Sequence, residues 1–339
     1  MCFNRVVQKE GETVLKRVLI TGITGQDGRF LTQELISSGY KVFGTSRRPY
    51  SELPTDVKTD LVSCDRIFLD NQKKSSIRYI LEEVQPDLLF NLSGMSSVSD
   101  SFLNEKECRI ANYDYVVNLL EAVSDLNLKD RIRIYQASSS EMFGNVKTAP
   151  QNEKTDFHPI SPYGKFKLEA HAVCQEYREK REFFISCGIL FNHESEKRST
   201  KFVSRKITKA VAEIKYGLSD NLTLGKLDSR RDWGFAGDYV MAMQRMLEVD
   251  YPSDFVVSTG RSHSVLDFVD AAFKAANLER ENYLKFSSNF IRQNDHGNLV
   301  GDSQKAHEEL NWYPKLNFEG IVSRMIKEDI RILTQDDKN

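Results

Sequence analysis

The chain has 339 residues, 40% of them hydrophobic and 28% charged, and a formal net charge of -2. That length holds one large domain or two modest ones, and so even a charge balance excludes a general pull toward nucleic acid or a membrane surface. The cysteines (Cys2, Cys64, Cys108, Cys174, Cys187) are scattered without a CxxC pair, residues 1–15 lack a signal-peptide core and no stretch reaches transmembrane length, so a cytoplasmic protein without disulfide framework or metal site is expected.

Residues 17–21 (RVLIT) read as a first strand, and residues 28–38 carry helical spacing that Gly39 can terminate. Further strands are predicted at 41–45 (KVFGT), 66–69 (RIFL), 87–92 (DLLFNL), 131–136 (RIRIYQ) and 183–191 (FFISCGILF). Helices are predicted over 75–83, from beyond residue 92 to about 123, and over 161–180. Strands separated by such helices imply right-handed crossovers. Apolar runs with little alternation suit strands covered on both faces. The fold class is therefore α/β, a Rossmann-type doubly wound parallel sheet over 16–191. Beyond it, helices are predicted at 201–216, 238–247, 265–276 and 318–333, a strand at 254–258 (DFVVS), loops at 195–200 and 287–298, and a frayed end at 335–339. Residues 192–334 read as a smaller, mixed α/β substrate-binding lobe set against the sheet.

The loop after the first strand is Gly22-Ile23-Thr24-Gly25-Gln26-Asp27-Gly28. Gly22 permits a tight turn, Gly25 lets backbone approach a pyrophosphate, and Gly28 allows close helix packing. The following helix N-terminus offers unpaired N–H groups to phosphates. An NAD site usually carries an acidic residue after the second strand. This chain has Ser46-Arg47-Arg48 there, and a guanidinium fork suits a ribose 2′-phosphate, so NADP is the expected cofactor. Asp70 and Asn71 follow the third strand, where Asp70 can accept from an adenine amine. Leu92, Ser93 and Ser96 follow the fourth, where small residues let a cofactor pass.

The strongest chemical signal is Tyr163-Gly164-Lys165-Phe166-Lys167. Tyr163 and Lys167, four apart, share a helix face. The ammonium is expected to lower the phenol's pKa and to hold the nicotinamide ribose. Ser138-Ser139-Ser140-Glu141 follows the fifth strand, at the sheet edge where ligands bind. A plain helix surface pair and a polar turn are the bland alternatives for each motif alone.

Together TGITGQDG, SSSEMFG, SPYGKFK, GILFNHES, KFVSRKIT and LDSRRDWGFAGDYV resemble the matching stretches of the GDP-mannose 4,6-dehydratase family, among the extended short-chain dehydrogenases/reductases. The resemblance runs from about residue 16 to 330. It implies conversion of GDP-mannose to a 4-keto-6-deoxy sugar nucleotide, with NADP regenerated in each cycle. Tyr163 would take the proton of the 4-hydroxyl, Lys167 would support it, and Ser139, where the family usually has Thr, would orient the 4-oxygen. Glu141 would remove the carbon 5 proton and help expel the 6-hydroxyl. Asn192, Lys206, Arg231, Arg292 and Asp295 match substrate-binding positions, and His193 and Arg198 match positions near the cofactor. Trp233 and Phe235 are read as core residues. The family's Arg-Pro-x-Glu is here Arg292-Gln293-Asn294-Asp295, Glu107 stands where an aromatic is usual, and Thr259-Gly260-Arg261-Ser262-His263-Ser264 departs from the common Thr-Gly-Glu-x-His-Ser. The resemblance also implies a homodimer or homotetramer. The rival readings are a 4-epimerase or 4-keto reductase on a related nucleotide sugar, and a catalytically silent NADP-binding protein. Glu141 discriminates against the first, because simple epimerases and reductases need no base at carbon 5, and the intact Tyr163, Lys167 and Glu141 argue against the second.

Overall fold

Seven parallel strands carry the architecture. They are β1 (Arg17–Thr21), β2 (Lys41–Ser46), β3 (Arg66–Leu69), β4 (Leu88–Asn91), β5 (Arg133–Ser139), β6 (Phe184–Leu190) and β7 (Asp254–Val257), in the spatial order β3-β2-β1-β4-β5-β6-β7. The structure, a computed structural model, describes residues 6–9, 12–70, 72–146, 148–287 and 299–336. Flanking helices are α1 (Gln26–Ser37), α2 (Lys74–Val84), α3 (Tyr115–Asp125), α4 (Pro162–Arg181) and α5 (Ala236–Met246).

The two-residue period of a strand sorts each apolar run between two cores. Val18 and Ile20 of β1 and Leu88 and Phe90 of β4 join Leu31 and Leu35 of α1 and Met243 of α5 on one face. Leu19 and Leu89 point to the other face and meet Leu81 of α2 and Leu119 and Val123 of α3. Removing a side chain of this size from water is worth about 1.5–3 kcal/mol. That is why unalternated runs such as RVLIT are stable only with helices on both sides.

The strand order reverses between β1 and β4, which opens a crevice at their carboxyl ends. Side-chain hydrogen bonds brace its floor. Thr21 Oγ1 donates to Asn91 Oδ1 at 2.6 Å, and Asn91 Nδ2 donates to Gln136 Oε1 at 2.7 Å. These links run from β1 through β4 to β5 beneath the place where a ligand must lie.

The chain departs from the sequence reading in several respects. The helix expected to reach residue 123 is divided into Val98–Leu103, Glu105–Arg109, a π-helical turn at Ile110–Asp114, and α3. Asn104 leaves helical geometry, and Asn112 turns its amide onto the carbonyls of Met95 and Cys108, at 3.2 and 3.1 Å. Residues 254–257, from the second half of the chain, add an edge strand to the main sheet. A second sheet, not predicted, joins Asn192–Glu194, Arg230–Phe235 and Ser262–Ser264. Its buried Asp232 accepts from the amides of Thr259 and Gly260, both at 2.9 Å. The last helix, Phe318–Asp336, runs two residues into the segment expected to fray. Residues 337–339, like 288–298 of the expected loop, lie outside the described residues.

Candidate active site

β5 ends where Ser139 caps a short 3-10 turn, its Oγ accepting from the Glu141 amide at 3.2 Å. α4 begins with Ser161 as N-cap, its Oγ accepting from the Gly164 amide at 3.0 Å, and Pro162 fills the first turn, where no N–H is needed. The two starts are pressed together. A Cβ built on Gly164 would lie 2.5 Å from the Glu141 carbonyl oxygen, so only glycine lets α4 come this close. Tyr163, the neighbouring residue, is thereby brought within electrostatic reach of Glu141.

Ser139, Glu141, Tyr163 and Lys167 line one cavity of about 500 Å³. Tyr163 and Lys167 are both buried. Burial pushes the Tyr163 phenol up to about 12, Ser139 and Arg198 oppose that rise, and Glu141 adds to it. Burial pulls Lys167 down to about 8, and its Nζ donates to the Ala137 carbonyl at 2.9 Å. The phenol is therefore not lowered as expected, because burial raises it. The ammonium lies 5.9 Å from the centre of the Tyr163 ring.

The glycine loop lines a second cavity of about 230 Å³, together with Thr24, Gln26, Arg47 and Asp70. Asp27, Leu92, Gly94, Ser96 and Arg198 line both cavities, which makes one continuous cleft. Gly22 turns with φ +69, as the tight turn requires. α1 starts at Gly25 without a side-chain cap, which leaves its first amides to a ligand. Asp70 is buried and accepts from the Tyr115 hydroxyl at 2.6 Å and from the Gln72 amide at 2.8 Å. Ser93 lines the same cavity. Asn71 lies outside the described residues.

His193 and Asp27 close the junction between the loop and the second sheet. His193 Nε2 meets Asp27 Oδ2 at 2.9 Å, and its Nδ1 meets the Phe191 carbonyl at 2.8 Å. Burial alone would neutralise both groups. Their mutual attraction wins, so Asp27 sits below the ordinary carboxylate value and His193 above the ordinary imidazole value. Gln26 donates to the His193 carbonyl at 3.0 Å and accepts from Ser195 at 2.7 Å. Arg198 pairs with Glu194 at 3.3 Å and stacks on the Phe202 ring.

Asn192, Lys206 and Arg231 line the large cavity. Burial lowers the Lys206 pKa, and its Nζ donates to the Thr223 carbonyl at 3.0 Å. Arg292 and Asp295 lie outside the described residues. Trp233, read from sequence as core without a site role, is buried and also forms part of the cavity wall. Lys201, Lys226 and Ser229 line the cavity too and were missed. Lys226 immediately precedes the recognised stretch LDSRRDWGFAGDYV, but a lysine in a polar loop has no local mark that separates it from a solvated one.

Comparison with known proteins gives the chain its relatives. Residues 19–325 match the family model described as GDP-mannose 4,6 dehydratase. GDP-mannose 4,6 dehydratase 1 of Arabidopsis thaliana is 40% identical over 331 residues, covering 95% of this chain and 91% of the relative. GDP-mannose 4,6 dehydratase of Homo sapiens is 37% identical over 341 residues, covering 93% and 91%. Among solved structures, RMD from Pseudomonas aeruginosa complexed with NADPH superposes with a TM-score of 0.79 at 20% identity, covering 94% of this chain and all (100%) of that one. dTDP-glucose 4,6-dehydratase from Bacillus anthracis in complex with NAD gives 0.79 at 18% identity, covering 92% and 96%. At such identities the structural likeness speaks for the fold.

Proposed function

The chain belongs to the GDP-mannose 4,6-dehydratase family, and from that premise we propose that Ser139, Glu141, Tyr163 and Lys167 perform its chemistry in the cleft between glycine loop and second sheet. The enzyme is an NADP-dependent hydro-lyase that converts GDP-mannose to GDP-4-keto-6-deoxymannose by internal hydride transfer and loss of water. The observation that carries the assignment of residues is the meeting of a phenol, a hydroxyl, a carboxylate and an ammonium on one cavity that continues into the glycine loop.

The residues present fit the cofactor. The uncapped N-terminus of α1 would take the pyrophosphate, and exposed Arg47, with no acid at the end of β2, would take the 2′-phosphate. Gly22, Thr24, Gly25, Gln26 and Gly28 would lie along its backbone, with Leu92, Ser93 and Ser96 opposite. Asp70 would face the adenine side, and Asp27, His193 and Arg198 the nicotinamide side, while Asn71 is proposed as cofactor-binding by the resemblance alone. When bound, NADP supplies a reversible hydride store beside the sugar.

Tyr163 then accepts the proton of the sugar 4-hydroxyl, whose oxygen Ser139 orients. Lys167, charged below about 8, favours the phenolate that accepts this proton. The new ketone acidifies carbon 5. Glu141 takes that proton and passes one to the departing 6-hydroxyl, which leaves as water. Asn192, Lys206, Arg231 and Arg292 would bind the GDP portion, the two arginines being suited to pyrophosphate, and Asp295 is proposed as a further substrate-binding residue.

Purified protein given GDP-mannose should form a product lighter by one water, as mass spectrometry will show, with no net consumption of NADPH. Oxidation of NADPH in proportion to turnover would favour a 4-keto reductase, and recovery of an isomer of unchanged mass would favour an epimerase.

A homodimer or homotetramer belongs to the same reading. It is supported by exposed Phe102 and Leu103 (45% and 82%) on the helix Val98–Leu103, beside α4. Light scattering should return a multiple of the 39.0 kDa chain mass, and a monomeric mass overturns the proposal. No helix among the described residues is long and apolar enough to cross a membrane. A cytoplasmic location is proposed, supported by Cys64, Cys108, Cys174 and Cys187 being free thiols.

A further inference from the structure

The catalytic helix is pinned to the end of β5 at three successive levels. Tyr163, Lys167 and His171 follow at four-residue intervals along α4, so they stack on one face of the helix. Three consecutive residues of β5 meet them. Ser139 acts on the Tyr163 phenol, the Ala137 carbonyl accepts from Lys167 Nζ at 2.9 Å, and the Ser138 hydroxyl meets His171 Nδ1 at 2.9 Å. The first two contacts belong to the reaction already described. The third has no part in it.

His171 is buried and fixed from behind. Its Nε2 lies 3.5 Å from Asp254 on the edge strand β7. Arg178 grips Asp254 with two bonds of 2.7 and 3.0 Å, and Gln175 adds a third at 2.8 Å. Gln175 and Arg178 also stand on α4. The polar chain Ser138–His171–Asp254–Arg178 thus ties helix, strand end and sheet edge into one register. Buried charge of this kind is a poor source of net stability, because well-packed apolar side chains would serve as well. What it adds is direction, since an apolar contact can slide and a hydrogen bond at 2.9 Å cannot.

We propose, on the dehydratase reading above, that His171 is a positioning residue, which through Ser138 holds the end of β5 against α4 so that Ser139 stays aligned with the Tyr163 hydroxyl. His171, Cys187 and Asp254 also bring three ligand-type atoms within 4.8 Å of one another. A metal there would compete with Arg178 and Gln175 for the Asp254 carboxylate and face a guanidinium, so the positioning role is the one the contacts favour.

The test uses the full-length enzyme with its bound cofactor, GDP-mannose as substrate, and the variants Ser138→Ala, His171→Phe and the pair combined. Each single change should lower kcat about tenfold or more, because small misplacements of reacting groups are costly, while KM stays within about twofold. The double variant should fall no further than the worse single one, because both changes break the same link. A folded Ser138→Ala enzyme with wild-type kcat overturns the proposal, and so do losses that multiply in the double variant. If His171→Phe does not fold, kcat of Ser138→Ala decides alone. Failure of the wild-type enzyme to dehydrate GDP-mannose would instead sink the dehydratase reading, which separates the two ideas.

Discussion

Glu141→Gln should stop the elimination of water and lower turnover about 10²–10⁴-fold, the range expected when a positioned acid–base group is lost. The substitution keeps size and removes basicity. The Glu141 backbone is held independently of its side chain, by the Ser139 cap on its amide and by the approach of Gly164 to its carbonyl. The fold and GDP-mannose binding should therefore persist. Oxidation at carbon 4 does not need Glu141, so the variant should still form reduced cofactor on the enzyme when substrate is added. Product made by the wild-type enzyme in deuterated water should carry deuterium at carbon 5, and the variant should show no such exchange. Complete dehydration by the variant would remove Glu141 from the mechanism.

Tyr163→Phe should block the step before it. This variant should make no product and no reduced cofactor, with a loss again of about 10²–10⁴-fold. The contrast with Glu141→Gln assigns the order of the two groups. The pH profile adds a second check. Burial holds the phenol up at about 12, so the proton-accepting phenolate is scarce at neutral pH. kcat/KM should thus rise with pH through the acid and neutral range. Lys167 is held down at about 8 and is charged below that value, where it assists the phenolate. Lys167→Met removes that charge and should move the rising limb to higher pH. An unshifted limb in a folded Lys167→Met enzyme would detach the lysine from the phenol's titration.

Much of the site could be read because its parts are local. The glycines at 22, 25 and 28, the basic pair after β2 and the Tyr163–Lys167 spacing each lie within a few residues, and their meaning depends only on strand–loop–helix geometry. The helix after β4 was harder. Its apolar periodicity is continuous, whereas the break comes from Asn104 and from an Asn112 side chain that reaches back to Met95. Nor did the short strands 192–194, 230–235 and 262–264 announce themselves. Each has few apolar residues, and they pair across gaps of tens of residues.

From its sequence alone the protein's fold class could be read, with the glycine loop and the Tyr163–Lys167 pair proposed for its site, because short-range pattern dictates backbone conformation and which face a side chain takes. Only the tertiary structure decided that Glu141 approaches Tyr163 across Gly164, that Trp233 walls the cavity, and that His171 is tied to Asp254 at the sheet edge. It also reversed the expected direction at Tyr163, where burial raises the phenol. The physical reason is common to all of these. Distances between segments, and the water excluded from between them, are properties of long-range packing, and no local spacing of residues encodes them.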